Sequence, residues 1–300
     1  VGLFRRTSAL EVSVTPAVVV PRQTVTAAVT GAADKVRSAK VDWGYTNFFR
    51  YRWAGHADSA AAEISADLWL VGEVGTNYGG DRESDEWVSV VVVDVPIATG
   101  EFSGGSFDFR IPSWAPPSSK EIARWSCRLI VDREGRDVEA RGDFTVVARP
   151  EDAYAGDEPV ERYDGSGQTV LDIALPSPVY GAGEVVRGQI TLTPTIDLPD
   201  GDLRVRWQSH RESHPLTRNP CATAPVDGPI IKLGKGIPLR AGNPITVPFE
   251  LALPAEAAPT AAAVHSSMSW AIAAELFYAG FSGPMTERVR KPIVVVNGPG

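Results

Sequence analysis

The feature that most constrains this chain is a β-pattern stated twice. Between Phe107 and Val147 the sequence runs Phe107-Asp108-Phe109-Arg110-Ile111-Pro112, crosses a Pro/Ser-rich gap, and enters Trp125-Ser126-Cys127-Arg128-Leu129-Ile130-Val131. A turn at Glu134-Gly135 and a last apolar run, Phe144-Thr145-Val146-Val147, complete the unit. Far downstream come Phe249-Glu250-Leu251-Ala252-Leu253-Pro254, then Trp270-Ala271-Ile272-Ala273-Ala274, a turn near Gly280–Gly283, and Ile293-Val294-Val295-Val296. Both copies keep one order: an alternating strand closed by proline, a polar or small-residue loop, a Trp-led strand, a hairpin and a terminal strand. Period-two alternation places large side chains on one face of a strand.

The pattern extends upstream of both copies. Val12 and Val14 alternate with polar neighbours, Pro16 and Pro21 bracket Val18-Val19-Val20, and Val25, Ala27 and Val29 alternate again. Val41, Trp43 and Tyr45 follow at every second position, the mark of a strand buried on one side only. In the second half Val170, Asp172 and Ala174 precede a turn-rich Pro176–Gly183, then a strand over Val185–Leu192, then Leu203-Arg204-Val205-Arg206-Trp207. Twenty-four prolines and 28 glycines punctuate many short strands and disfavour long helices. With 300 residues and 43% apolar content, the expectation is an all-β chain of two tandem antiparallel β-sandwiches with immunoglobulin-like architecture. The sandwiches span residues 1–149 and 167–300, and 150–166 form an acidic Pro/Gly linker. Residues 59–70 are open between helix and strand, and Asn77–Asp85 reads as an exposed loop.

The chain carries 29 Lys and Arg against 37 Asp and Glu, a net charge of −8, which argues against a nucleic-acid binder. No apolar run reaches the ~18–20 residues of a membrane helix. Two arginines near the start have no apolar signal core behind them, so the expected location is cytoplasmic. Cys127 reads as a buried strand thiol and Cys221 as an exposed loop thiol, with no disulfide scaffold. His210-Arg211-Glu212-Ser213-His214 reads as a polar loop lacking the further ligands of a zinc site, and His56 and His265 fall in loops. Asp132–Asp137 has arginines inside it and reads as a hairpin turn, not a calcium loop. Gly181-Ala182-Gly183 reads as a β-turn, and no nucleophile setting is found. The expectation is therefore no enzyme and no cofactor. Trp43, Trp125, Trp207 and Trp270 are expected in the core; Trp53, Trp69, Trp87 and Trp114 fall near loops and are the candidates to anchor a partner.

On these motifs the chain resembles the arrestin clan. The strand pair around Tyr180-Gly181-Ala182-Gly183-Glu184-Val185-Val186-Arg187-Gly188 and the F-x-Φ-x-Φ-P strand before a long loop and aromatic-led strand carry the likeness, which covers nearly the whole chain. Its compactness is similar to that of bacterial sporulation-control proteins. The resemblance implies two arrestin-like β-sandwiches acting as a scaffold or adaptor for protein partners, without chemistry. Phe4-Arg5-Arg6-Thr7-Ser8 resembles the F-K-K-x-S run of receptor arrestins, which makes Arg5 and Arg6 candidate anion contacts. The plainer role for the pair is to solvate the terminus. The alternative to an adaptor is an exported tandem β-sandwich with an adhesive or carbohydrate-binding role, motivated by the aromatics of Tyr45–Trp53.

Overall fold

The structure is a computed structural model that describes residues 10–53, 80–97, 99–153, 158–280 and 283–298. Every regular element among them is a β-strand, the sheets are predominantly antiparallel, and none closes into a barrel. The stretch 59–70 lies outside the described residues. The chain divides into two compact units. The first is Val1–Val146 with Glu212–Thr223 and Ala262–Ser267; the second is Val147–Arg211, Ala224–Ala261 and Met268–Gly300.

In the first unit, strands Glu11–Thr15, Thr24–Thr30 and Gly105–Arg110 form a three-stranded antiparallel sheet in that order. A five-stranded sheet runs Val18–Val19, Val138–Val146, Ala123–Arg133, Val36–Trp53, Gly80–Val95. Its short first strand is parallel to Thr145–Val146 and the other pairings are antiparallel. In the second unit, Thr169–Ala174, Val185–Pro194 and Ile245–Ala252 form the three-stranded sheet. The larger sheet orders Glu161–Asp164, Gly283–Val296, Ser266–Gly280 and Gly201–Ser213, and Val179–Gly181 runs parallel to the end of Gly283–Val296. One strand order thus recurs. In each unit the F-x-Φ-x-Φ-P strand closes the small sheet, a short strand runs parallel to the terminal strand, and the terminal strand pairs with the Trp-led one.

The same chemistry repeats inside. The F-x-Φ-x-Φ-P strand turns Phe109 inward, where its ring stacks on Trp43 at 5.1 Å, so the two sheets of the first unit bury their facing sides. Phe144 meets Trp43 edge-on at 6.0 Å and Tyr45 lies 4.9 Å from Trp125. Each aromatic buried this way contributes roughly 2–3 kcal/mol. The indole N–H of Trp125 donates to the carbonyl of Pro116 at 2.8 Å, and that of Trp270 to the carbonyl of Ala258 at 2.8 Å. In both copies a preceding loop supplies the acceptor that lets a tryptophan be buried. Trp207 departs from the expected core position: it is half-buried and packs beside Trp270 at 5.4 Å.

Three further expectations change. Residues Val41–Asn47 are buried on both faces, because Asp42 and Thr46 on the outer side are covered by Trp87 and Arg141. Gly80–Asp85, expected in a loop, pairs with Phe48–Trp53 as the start of a strand. Its residues are polar because nearly all of them face solvent, so apolar alternation gives no warning of it. Within the acidic 150–166 stretch, Glu161–Asp164 is an edge strand held by Glu161–Arg290 and Asp164–Arg288 ion pairs at 2.8 and 2.6 Å. Just beyond it, fully buried Glu287 accepts the Gly167 and Gln168 backbone N–H groups at 3.0 and 3.1 Å and the Ser166 hydroxyl at 2.7 Å. A buried carboxylate so surrounded by donors retains its turn.

The first unit is completed by sequence from far downstream. Strand Ala123–Arg133 stops pairing with Val36–Trp53 at Asn47, and there the Asn47 side chain takes over. Its Nδ2 donates to Ile122 O and Ser266 Oγ, both at 2.8 Å, and its Oδ1 accepts the His265 N–H at 2.6 Å. Beyond it the Arg50 N–H donates to Ser213 Oγ and the Arg52 N–H to Asn219 O. Residues 212–223 and 262–267 therefore satisfy backbone groups that would otherwise be orphaned. Asn47→Ala, which strands a buried N–H and a buried carbonyl, is expected to lower stability by about 2–4 kcal/mol, read as a shift in urea midpoint at unchanged slope. A chain cut after residue 149 is expected to lose native near-UV dichroism in this unit.

Candidate protein-docking edge

Strand Gly80–Val95 lies at the edge of the five-stranded sheet, and among the described residues no strand pairs with its outer side. Its inner side is hydrogen-bonded along Val36–Trp53, from Ala39↔Val95 to Trp53↔Gly80, with one bulge between Trp43 and Gly44. The second half of the strand reads Trp87-Val88-Ser89-Val90-Val91-Val92-Val93, a β-branched run. Val91 and Val93 pair with Trp43 and Val41 on the core-facing side, and Val92 pairs with Asp42 on the other. All three are exposed, at 41%, 36% and 51% for Val91, Val93 and Val92. The strand thus offers apolar side chains on both faces beside a row of backbone donors and acceptors that no strand among the described residues takes up.

What fixes this edge is a polar clamp centred on Asp42. Its carboxylate accepts the Trp87 indole N–H at 2.8 Å and the Ser89 hydroxyl at 2.6 Å. Arg128 lies 4.7 Å over the Trp87 ring and pairs with Glu139 at 2.8 Å. Gly44 makes room: a Cβ there would strike the Val88 carbonyl oxygen and come within 2.9 Å of Trp87 Cζ2. Further along, Glu86 meets buried His265 at 3.3 Å and Arg218 donates to Ser84 at 3.0 Å. Arg82 lies 4.1 Å over Trp53. The strand is held along its inner side, and among the described residues no strand pairs with its outer side.

Three other described edges carry protections that such edges often have. Ile245–Ala252 has Pro248, Ile231–Ile237 has Lys232, Lys235 and two register shifts, and Glu161–Asp164 is short and ion-paired. Gly80–Val95 has sixteen residues, no proline and no lysine. Sequence reasoning placed Trp87 near a loop and passed over this strand, although the Val90–Val93 run is itself a strand signal.

The other candidates fall as follows. Arg5 and Arg6 lie outside the described residues, as do Trp69 and His56. His210–Ser213 ends strand Gly201–Ser213, and His214 bonds through its backbone to His265, which lies in a loop and is buried against Phe49. Among the described residues no group of three or more His, Cys, Asp or Glu side chains could hold a metal. Asp132–Asp137 spans a hairpin whose acids pair with Arg37 and Lys35, and Gly181–Gly183 is a turn closed by Glu184. Cys221 is buried, not exposed, because residues 212–223 pack into the first unit. Of Tyr45–Trp53, Tyr45 and Phe49 are core residues and only Trp53 is well exposed among the large aromatics. Trp114 is 59% exposed. Among the described residues no helix is long and apolar enough to cross a membrane.

Burial, and then the nearby Asp42 charge, pushes the Cys127 thiol up to about 12 from 9.0. The raised value means its contribution to stability is present below pH 9.0 and lost as pH rises towards about 12, because only the unfolded chain releases the proton. Native protein at pH 8 is expected to resist iodoacetamide at Cys127 and to react on unfolding, as peptide mass mapping would show. Gly44→Ala is expected to cost about 1–3 kcal/mol through overpacking at the Trp87 clamp, read from the thermal midpoint. No protein-family model matches this chain, and no curated protein does either.

Proposed function

We propose that this chain is a non-catalytic, arrestin-like adaptor of the cytoplasm that binds other proteins, with Gly80–Val95 as the edge to which a partner's extended segment adds as a strand. The observation that carries the proposal is the open edge bearing exposed Val91, Val92 and Val93. Strand addition draws affinity from main-chain hydrogen bonds and specificity from alternate side chains. Here the alternate side chains of the host strand are apolar, so a partner with β-branched or aromatic residues at every second position fits them. The recurring strand order, with the short strand parallel to the terminal one in each unit, supports the arrestin-like part of the proposal. Tyr45 and Phe49, two of the five aromatics that motivated a carbohydrate-binding role, are buried.

Val92→Lys places a charge on the open edge at an exposed position and is expected to leave the fold intact. Affinity capture from the native cell extract should retain a protein on the parent chain and lose it on this variant. Equal retention on both, or retention on neither, would falsify the proposal.

A further inference from the structure

In the second unit the edge strand Ile231–Ile237 pairs with Gly201–Ser213 through an irregular register: Gly201↔Ile237, Leu203↔Gly234, Arg204↔Lys232, with shifts between each. Shifts of this kind re-aim side chains at a sheet edge. Here they frame a cavity of about 540 Å³ lined by Arg204, Lys232, Lys235, Leu233, Phe277 and Asp202. That volume is in the range of small-molecule sites.

The charge in this cavity is one-sided in a chain whose net charge is −8. Asp202, its one carboxylate, accepts the Gly236 N–H at 2.9 Å. Neither Lys232 nor Lys235 forms an ion pair among the described residues. Arg204 is fixed: its Nε donates to buried Glu275 and its guanidinium lies 4.0 Å over the Phe277 ring. Glu275 is shared, since Arg206 reaches it at 3.0 Å and Arg288 at 3.4 Å. Arg206 has a second acid in Asp227 at 2.8 Å, and Arg288 in Asp164 at 2.6 Å. Arg204 has no second acid among the described ion pairs.

We propose that this cavity binds a small soluble phosphate ester. Its phosphoryl oxygens meet the Lys232 and Lys235 ammonium groups beside Arg204, and its apolar body rests against Leu233 and Phe277. Two lysines beside the Arg204 guanidinium, against the Asp202 carboxylate, leave the lining net positive, which favours an anionic phosphoryl group. The site is separate from the edge Gly80–Val95, so neither proposal depends on the other.

Phenyl phosphate titrated calorimetrically into the whole chain at low salt is expected to bind saturably with one site. The double variant Lys232→Gln/Lys235→Gln should weaken it at least about tenfold by loss of two charge-assisted contacts. Both lysines are exposed, so the variant should melt like the parent, and Lys120→Gln in the first unit should bind like it too. Inorganic phosphate should bind several-fold more weakly, lacking the apolar body, roughly as burial of a few carbons predicts. No saturable heat with phenyl phosphate, or unchanged affinity in the double variant, overturns the proposal. Binding to phosphatidic acid vesicles without binding to phenyl phosphate overturns the soluble-ester assignment.

Discussion

The backbone of strand Val36–Trp53 must be satisfied on both sides along eighteen residues, and the first unit is arranged around that demand. Gly80–Val95 serves one side from Ala39 to Trp53. On the other side Ala123–Arg133 reaches only to Asn47, after which Ile122, Ser213 and Asn219 supply acceptors one residue pair at a time. A buried N–H left without a partner costs about as much as several methylenes contribute. Recruiting downstream segments is the economical answer. It also explains why Asn47, His265 and Ser266 are buried polar groups in an otherwise apolar setting.

That same demand bears on function. A strand needed on its inner side must run the full length of its partner, and Gly80–Val95 therefore presents an equally long outer side. Asp42, Trp87 and Ser89 lock the strand in place, with Arg128 stacked over the indole. In the proposed strand addition, an edge preformed by these contacts spares an incoming chain much of the ordering that binding otherwise entails. Edges of the second unit add proline and lysine to register shifts and ion pairs. The shifts at Ile231–Ile237 frame the cationic cavity. Protection of an edge and the framing of a cavity thus come from one distortion.

The charged residues of the second unit show how burial changes the meaning of composition. Glu275 and Glu287 read in sequence as ordinary strand carboxylates, yet both are almost wholly buried. Glu287 gathers backbone and hydroxyl donors at the Gly165–Gln168 turn; Glu275 gathers three arginines. Each carboxylate is retained because its neighbours replace the water it has lost.

Much of the architecture was legible in the amino acids alone. Alternation at Val25-Ala27-Val29 and at Leu203-Val205, proline closing Phe107–Pro112 and Phe249–Pro254, and glycine at the Glu134-Gly135 hairpin are local properties of a pleated backbone, so they announce strands and turns wherever they occur. The candidate sites were not legible in that way. That Val91–Val93 stay exposed, that residues 212–223 bury Cys221 in the first unit, and that Lys232, Lys235 and Arg204 line one cavity depend on which strands pair and where each partner ends. Those are contacts between residues far apart in the chain, and only the folded arrangement decides them.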